Sequence, residues 1–168
     1  MDIFVEQIVT KKPSSTDTAK KVGISAGILI VCAFFILFLM GYFPLNILLC
    51  FLALYGGYYL FTGIDCEYEY IVTNGDLDID KIIAKRKRKR LISVKVSTFD
   101  DFGVLSADTQ TPKDITTVLA GKNTGEGDYY ADFNHPTLGN VRLIFTPEEK
   151  ITEGLKPYLP RLIKAKFH

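Results

Sequence analysis

A long apolar segment dominates the pattern of hydrophobic and polar positions along the chain. Residues 22–64 are 43 consecutive positions without Asp, Glu, Lys, Arg or His. Because a membrane-spanning helix needs about 20 apolar residues, this segment is too long for one span and has the length for two. Gly41 permits a turn, and Pro44 disfavours helix at the residue before it. The pattern therefore predicts spans over residues 22–40 and 45–62.

A cleaved signal peptide is the competing interpretation of the first stretch, because Lys20 and Lys21 precede it. The stretch is longer than the apolar core of a signal peptide, lacks a small-x-small cleavage site and runs into a second apolar stretch. We therefore interpret the segment as two membrane spans.

Basic residues flank both spans but are absent from the connecting turn. By the positive-inside rule, both ends of the chain are then expected in the cytoplasm and the turn outside, in a multi-pass protein of the cell membrane. Two spans also require both ends to share a side. The flanking basic residues are Lys11, Lys12, Lys20, Lys21, Lys81 and residues 85–90.

Small residues within the spans indicate where helices can approach closely. Gly23 and Gly27 have the G-x-x-x-G spacing, and Gly56 and Gly57 lie near the end of the second span. Backbones approach closely at such residues, so we expect these four to pack the two spans together. The alternative is that the motif faces a second copy of the protein, as a homo-oligomer.

The chain after the spans has the pattern of a β-hairpin. Alternating polar and apolar residues lie on both sides of Asn74-Gly75, which is the strongest short signal for a two-residue hairpin turn. One face of this hairpin is expected to be core and carries Tyr70, Val72, Leu77 and Ile79. The opposite face is acidic and carries Glu67, Glu69, Asp76, Asp78 and Asp80. Glu69 and Asp80 should face each other, with basic residues of the next strand as compensation.

Further strands are predicted at residues 91–96, 116–120, 129–133 and 140–145. Residues 97–105 fit either a short helix or an irregular strand, and the sequence leaves the conformation of residues 97–115 undecided. The predicted fold class is an α-helical membrane hairpin followed by an α+β domain, a mostly antiparallel sheet closed by a C-terminal helix.

That closing helix has its own signals. Thr146 is expected to cap it, Pro147 to occupy its first position, and Pro157 to break it near Lys156. A single helical face carries Ile151, Leu155, Leu159 and Leu162. The predicted organisation is an N-terminal segment over 1–21, spans within 22–64 and a cytoplasmic domain over 65–168.

The N-terminal segment also contains apolar residues at helical spacing. Phe4, Val5, Ile8 and Val9 would lie on one side of a helix. We interpret residues 1–10 either as an interfacial helix or as a segment that docks on the cytoplasmic domain. Residues 11–17 are predicted to be a polar linker, in which Ser15, Thr16 or Asp17 caps the first span.

Residues 67–96, with the sequence EYEYIVTNGDLDIDKIIAKRKRKRLISVKV, resemble the start of bacterial pleckstrin-homology-like (PH-like) domains. The resemblance depends on Tyr70 and Thr73 in a Y-x-x-T strand, then Leu77 and Ile79, the basic run and Ile92. It implies a half-open antiparallel barrel capped by a C-terminal helix. Such domains often follow two membrane helices in small bacterial proteins of unknown function, so the resemblance implies no settled activity.

The basic run is the most unusual charged stretch. In an extended chain its side chains alternate between faces, so neither face can be buried. The second strand of the hairpin returns towards the bilayer, where each basic residue near an anionic leaflet contributes about 1 kcal/mol. One hypothesis is contact with anionic lipids; the alternative is a topology signal that pairs with the acidic face. The residues are Lys85, Arg86, Lys87, Arg88, Lys89 and Arg90.

Composition and spacing argue against several other functions. Residues 65–168 hold 16 basic and 16 acidic residues, which is not the broad positive field of a nucleic-acid-binding protein. An EF-hand beginning at Asp76 would need Gly and Glu where Lys81 and Lys87 stand. Cysteines at different membrane depths cannot share a zinc ion, and no nucleophile motif is present, so we expect no metal, cofactor or catalytic residue.

The sequence therefore predicts a non-catalytic binding or scaffold module at the cytoplasmic membrane face. Its expected partners are membrane lipids and an unknown protein, and not nucleic acid. The alternative is an accessory subunit of a membrane transporter or secretion complex, in which the spans make the main contacts.

Overall fold

A computed structural model describes residues 3–106, 109, 112, 114–122, 124–125 and 127–165. The chain forms two compact units. The described residues of 1–12 and 67–168 form one unit, and residues 13–66 form the other. The first unit is thus discontinuous in sequence, because the second unit is inserted into it.

The inserted unit is a helical hairpin. Helix α1 spans Ser15–Phe38 and helix α2 spans Phe43–Thr62. Both are long and apolar enough to cross a membrane. The two predicted spans are therefore confirmed as helices, and Pro44 lies in the first turn of α2, where its missing N–H is tolerated.

The first helix begins earlier than the apolar pattern predicted. Ser14, and none of the three residues proposed for the role, occupies the N-cap position. Its backbone N–H donates to Asp17 Oδ2 at 3.1 Å, and its carbonyl accepts from the Thr18 N–H at 3.0 Å. A capped polar turn therefore precedes the apolar stretch, and apolarity alone does not show where the helix starts.

The other unit contains two four-stranded sheets. The first has the order β1-β2-β3-β4. Its strands are β1 at Phe4–Thr10, β2 at Cys66–Thr73, β3 at Asp76–Ile83 and β4 at Lys87–Lys95.

Strand β1 corrects the prediction of an N-terminal helix. It pairs antiparallel with β2, from Phe4 opposite Thr73 to Thr10 opposite Glu67. Val9 and Gln7 are buried. The interfacial-helix interpretation is wrong, and the alternative, that this segment docks on the domain, describes what is found. The same four apolar residues fit a helix or a strand over so short a segment, and pairing with β2 selects the strand.

The predicted hairpin is confirmed. Asn74 and Gly75 have φ angles of 47° and 92°, the left-handed values that a tight two-residue hairpin turn requires. Its predicted core residues, Tyr70, Val72, Leu77 and Ile79, are fully buried.

The second sheet has the order β5-β7-β8-β6. Its strands are β5 at Phe99–Val104, β6 at Thr116–Leu119, β7 at Tyr129–His135 and β8 at Gly139–Phe145. The β6 strand runs parallel to β8, and the other pairings are antiparallel. Residues 96–98 form a 3-10 turn before β5. The start of the undecided stretch 97–115 therefore contains both a short helical turn and a strand. Residues 107, 108, 110, 111 and 113 lie outside the described residues.

The C-terminal helix begins later than predicted, and the predicted break near Lys156 is confirmed. Helix α3 spans Glu149–Leu155, a 3-10 turn covers Lys156–Tyr158, and α4 spans Arg161–Lys164. The N-cap is Glu148, so the prediction that Thr146 caps the helix is wrong. The prediction for Leu162 is also wrong: it is 85% exposed and Ile163 is buried, because the break after α3 changes which side faces the core.

Candidate functional site: the polybasic hairpin

The polybasic residues lie at the turn between β3 and β4 and along the first half of β4. All six, from Lys85 to Arg90, are exposed. Ala84 and Lys85 both have φ of 55°, the left-handed conformation that reverses the chain here. Strand β4 is an edge strand, and charged side chains on an edge also discourage pairing with another chain.

Two arginines of the run bind carboxylates of β2 and β3. Arg88 Nη2 lies 2.8 Å from Glu69 Oε1. Arg90 Nη1 lies 2.7 Å from Asp78 Oδ1, and its Nε also donates to Asp80. The predicted compensation of the acidic face by basic residues of the next strand is therefore confirmed.

The lysines of the run are divided between environments. Lys85 Nζ lies 3.8 Å from Glu67 Oε1, which is long for an ion pair, and the Lys85 side chain is mostly exposed. In the register of β3 and β4, Lys89 lies opposite Lys81, and Lys87 lies opposite Ile83. Among the described residues, none forms an ion pair with Lys81, Lys87 or Lys89. These three lysines form the uncompensated part of the basic surface.

A β-bulge in β4 determines which basic residues face the carboxylates. The register shifts between Ile79 and Asp80, so Ile92 pairs with Ile79 while Arg90 pairs with Asp80. One extra residue, Leu91, therefore lies in β4. Arg90 is thereby directed to the acidic face instead of the core side, and alternation along the sequence could not show this.

The acidic face is unusual because two of its carboxylates are buried. Glu69 is 2% exposed and Asp80 is 5% exposed. Burial raises the pKa of Glu69, Arg88 opposes this, and the nearby Glu6 and Asp80 raise it further. Beside these residues is a shallow groove of about 490 Å³, lined by Ile8, Glu67, Ile82, Lys85, Arg86 and Arg88.

Comparison with known families identifies the chain. Residues 1–165 match the family described as Bacterial PH-like domain (DUF6106). The chain belongs to this family. No curated protein and no solved structure matches it. The match covers β1, the helical hairpin and both sheets, so the family's sequence pattern extends through the inserted helices.

The PH-like domain contains a second charged cluster that the sequence analysis missed. Arg142, whose side chain is 4% exposed, makes two hydrogen bonds to Asp132, at 2.7 and 2.6 Å. Its guanidinium carbon lies 4.8 Å from the Tyr130 ring centroid, and the Tyr130 hydroxyl donates to Asp101 at 2.8 Å. Burial and this hydrogen bond raise the pKa of Tyr130 to about 12. Tyr130 and Asp132 are two residues apart on β7, and Arg142 lies opposite Asp132 on β8. The alternation of side chains along each strand is therefore the sequence signal that could have placed these three residues on one face.

A third group of polar residues joins the two ends of the PH-like domain. Gln7 donates to the Thr146 carbonyl at 3.3 Å and accepts from the Glu148 N–H at 2.8 Å. The Thr146 hydroxyl donates to Asp128, and its backbone N–H donates to the Tyr70 hydroxyl at 3.2 Å. These contacts explain why Thr146 does not cap α3: its side chain is used within the core.

The predicted helix-packing glycines occupy different environments. A Cβ atom at Gly57 would lie 2.0 Å from Ile28 Cδ1, so α2 packs closely on α1 there. A Cβ atom at Gly23, Gly27 or Gly56 would meet nothing within 4 Å among the described residues. Close packing of the two spans at those three glycines stays a prediction.

Within the described parts of the chain, no group of three or more His, Cys, Asp or Glu residues could hold a metal ion. Among the described residues, Cys32, Cys50 and Cys66 form no disulfide.

Proposed function

We propose that this protein is a membrane-anchored, non-catalytic binding module whose PH-like domain contacts anionic lipids at the cytoplasmic face of the cell membrane. PH-like domains are generally non-catalytic binding modules. The observation that carries the lipid proposal is a set of three lysines that form no ion pair with any described residue, Lys81, Lys87 and Lys89. Near an anionic leaflet these three would together contribute about 3 kcal/mol.

Chain connectivity supports the same arrangement. Lys85 lies near Glu67, so the basic turn is at the end of β2 where the chain arrives from α2. Only residues 63–66 separate the end of α2 from Glu67. Because an extended residue spans at most about 3.6 Å, a connection this short limits how far the chain can run between α2 and the start of β2.

The pairing of β1 with β2 supports the proposed topology. These strands belong to one sheet, yet one precedes the first helix and the other follows the second. Two spans bring both strands to the same side of a membrane, and the flanking basic residues favour the cytoplasmic side. Reporters fused to each end should both be cytoplasmic. A secreted reporter at either end would contradict the topology.

Lipid contact is testable on the full chain in nanodiscs. A polarity-sensitive fluorophore at Ala84→Cys, with the native cysteines replaced by Ser, would report the environment of the turn. We expect a blue shift in nanodiscs that contain phosphatidylglycerol relative to neutral ones, and loss of this shift in the Lys87→Gln/Lys89→Gln variant.

The matched control removes the same charge elsewhere, at the exposed Lys150 and Lys156. It should retain the blue shift. Equal spectra in neutral and anionic nanodiscs, or equal effects of the two double variants, would refute lipid contact by the hairpin.

A second candidate function is that of an accessory subunit of a membrane transporter or secretion complex. It is favoured by α1, where a Cβ atom at Gly23 or Gly27 would meet nothing within 4 Å among the described residues. A photo-crosslinking residue at the exposed Ala26 should then capture a membrane protein in cells. Capture of a second copy would indicate a homo-oligomer, and capture of lipid alone would weaken this candidate.

A further inference from the structure

One buried carboxylate of the acidic face lacks a hydrogen-bond partner on one oxygen. Glu69 Oε1 accepts from Arg88 at 2.8 Å, whereas Glu69 Oε2 is buried without a partner among the described residues. An ionised oxygen without water or a donor is strongly disfavoured. A bound proton would remove this charge and supply a hydrogen-bond donor.

One acidic neighbour of Glu69 lies on the strand before the first helix. In the β1–β2 register, Glu6 is opposite Ile71 and Ile8 is opposite Glu69. Glu6 and Glu69 are therefore diagonal neighbours on one face of the sheet, a distance that long side chains can bridge. Two carboxylates in such a position can share one proton, because the protonated group donates to the ionised one.

The basic residues on this face are already used by other carboxylates. Arg90 binds Asp78 and Asp80, and Lys85 faces Glu67, so Arg88 is the cation that contacts Glu69. The charged residues around Glu69 are Glu6 on β1, Glu67 on β2, Asp78 and Asp80 on β3, Arg88 and Arg90 on β4, and Lys85 and Arg86 in the turn. Five carboxylates thus meet four cations.

We propose that Glu6 and Glu69 form a proton-binding site that joins the strand before the first membrane helix to the strand after the second. With one proton bound, the two carboxyl groups attract each other across β1 and β2. Without it, two negative charges lie on adjacent strands, and one of them is buried. The site therefore makes the attachment of β1 depend on proton concentration.

The sign of the pH dependence follows from the site. The pKa of Glu69 is raised in the folded protein, first by burial and then by Glu6 and Asp80, against the opposing effect of Arg88. Its ordinary value is 4.5. An acid with a raised folded pKa favours folding at low pH, and this contribution is lost as the pH rises from the ordinary value through the folded one.

The test uses thermal unfolding of the full chain in neutral nanodiscs between pH 5 and pH 8, followed by near-ultraviolet circular dichroism. The wild-type midpoint should fall by several degrees as the pH rises. Glu69→Gln should flatten this profile and raise the midpoint at pH 8. Glu6→Gln should move the fall to lower pH, because it removes the neighbouring charge.

Glu67→Gln is the matched control, since it removes one charge from the same strand and face and leaves the proposed site intact. It should keep the wild-type profile. A flat wild-type profile, a Glu69→Gln profile that follows the wild type, or an equal effect of Glu67→Gln would overturn the proposal.

A second measurement covers the case in which Glu69→Gln does not fold. In the wild-type protein, carboxyl ¹³C resonances report each glutamate separately. Glu69 should titrate above the exposed glutamates and move towards them in Glu6→Gln. Titration of Glu69 together with the exposed glutamates would equally overturn the proposal. Neutral nanodiscs keep both measurements independent of the proposed lipid contact.

Discussion

Replacement of Gln7 by Ala would test whether the segment before the first helix is part of the domain core. Gln7 lies on β1 and is 3% exposed. Its side chain accepts from the Glu148 N–H at 2.8 Å and donates to the Thr146 carbonyl at 3.3 Å. Thus β1 is bonded to the connection between β8 and α3, at the opposite end of the sequence.

The expected loss of unfolding free energy follows from the hydrogen bonds that the substitution removes. Both hydrogen bonds are lost, and the buried Thr146 carbonyl loses its donor. A net hydrogen bond contributes about 1 kcal/mol, and an unsatisfied buried group costs about 1–3 kcal/mol. The variant should therefore lose about 2–3 kcal/mol of unfolding free energy. For a domain of this size, that corresponds to a melting temperature lower by about 10 °C.

The assay is urea unfolding of the full chain in detergent micelles, with near-ultraviolet circular dichroism of its tyrosines as the signal. Thr10→Ala is the control, because Thr10 is an exposed residue of the same strand. Its unfolding free energy should lie within about 0.5 kcal/mol of the wild type. A Gln7→Ala variant as stable as this control would refute the placement of β1 in the core.

Two further predictions concern packing in each unit. Arg142→Lys should destabilise the PH-like domain by about 2 kcal/mol, because Lys cannot reproduce the bidentate hydrogen bonding to Asp132. Urea unfolding measures this loss of stability. An unchanged unfolding midpoint would show that the contact does not stabilise the domain. Gly57→Val should lower the melting temperature of the helical hairpin in micelles, because its Cβ meets Ile28. Gly56→Val, with no such neighbour, should not, and equal melting temperatures would contradict the packing.

Local sequence determined several elements because their causes are local. An uncharged stretch of 43 residues can only be satisfied in an apolar environment, so two membrane helices follow from composition and length. Asn74-Gly75 adopts left-handed backbone angles more readily than other dipeptides, so the hairpin follows from two residues. Pro157 likewise ends α3, because its ring and missing N–H are incompatible with a helix interior.

The local sequence does not predict which basic residues of the run bind carboxylates and which do not. Alternation predicts that neighbouring side chains point to opposite faces, but it does not say which face meets the carboxylates. The bulge at Leu91 and the register with β3 decide that Arg88 and Arg90 meet them and Lys87 does not. Register depends on packing along the whole strand pair, so it is a property of the folded sheet.

By itself, the sequence determined two membrane helices, a hairpin with a known core face and a basic run that must stay exposed. Only the tertiary structure decided that residues 4–10 form a strand of the domain. Their partner is β2, which lies beyond the whole membrane hairpin. Over seven residues helical and strand patterns are both satisfied, so the choice depends on hydrogen bonds to a strand that is distant in sequence.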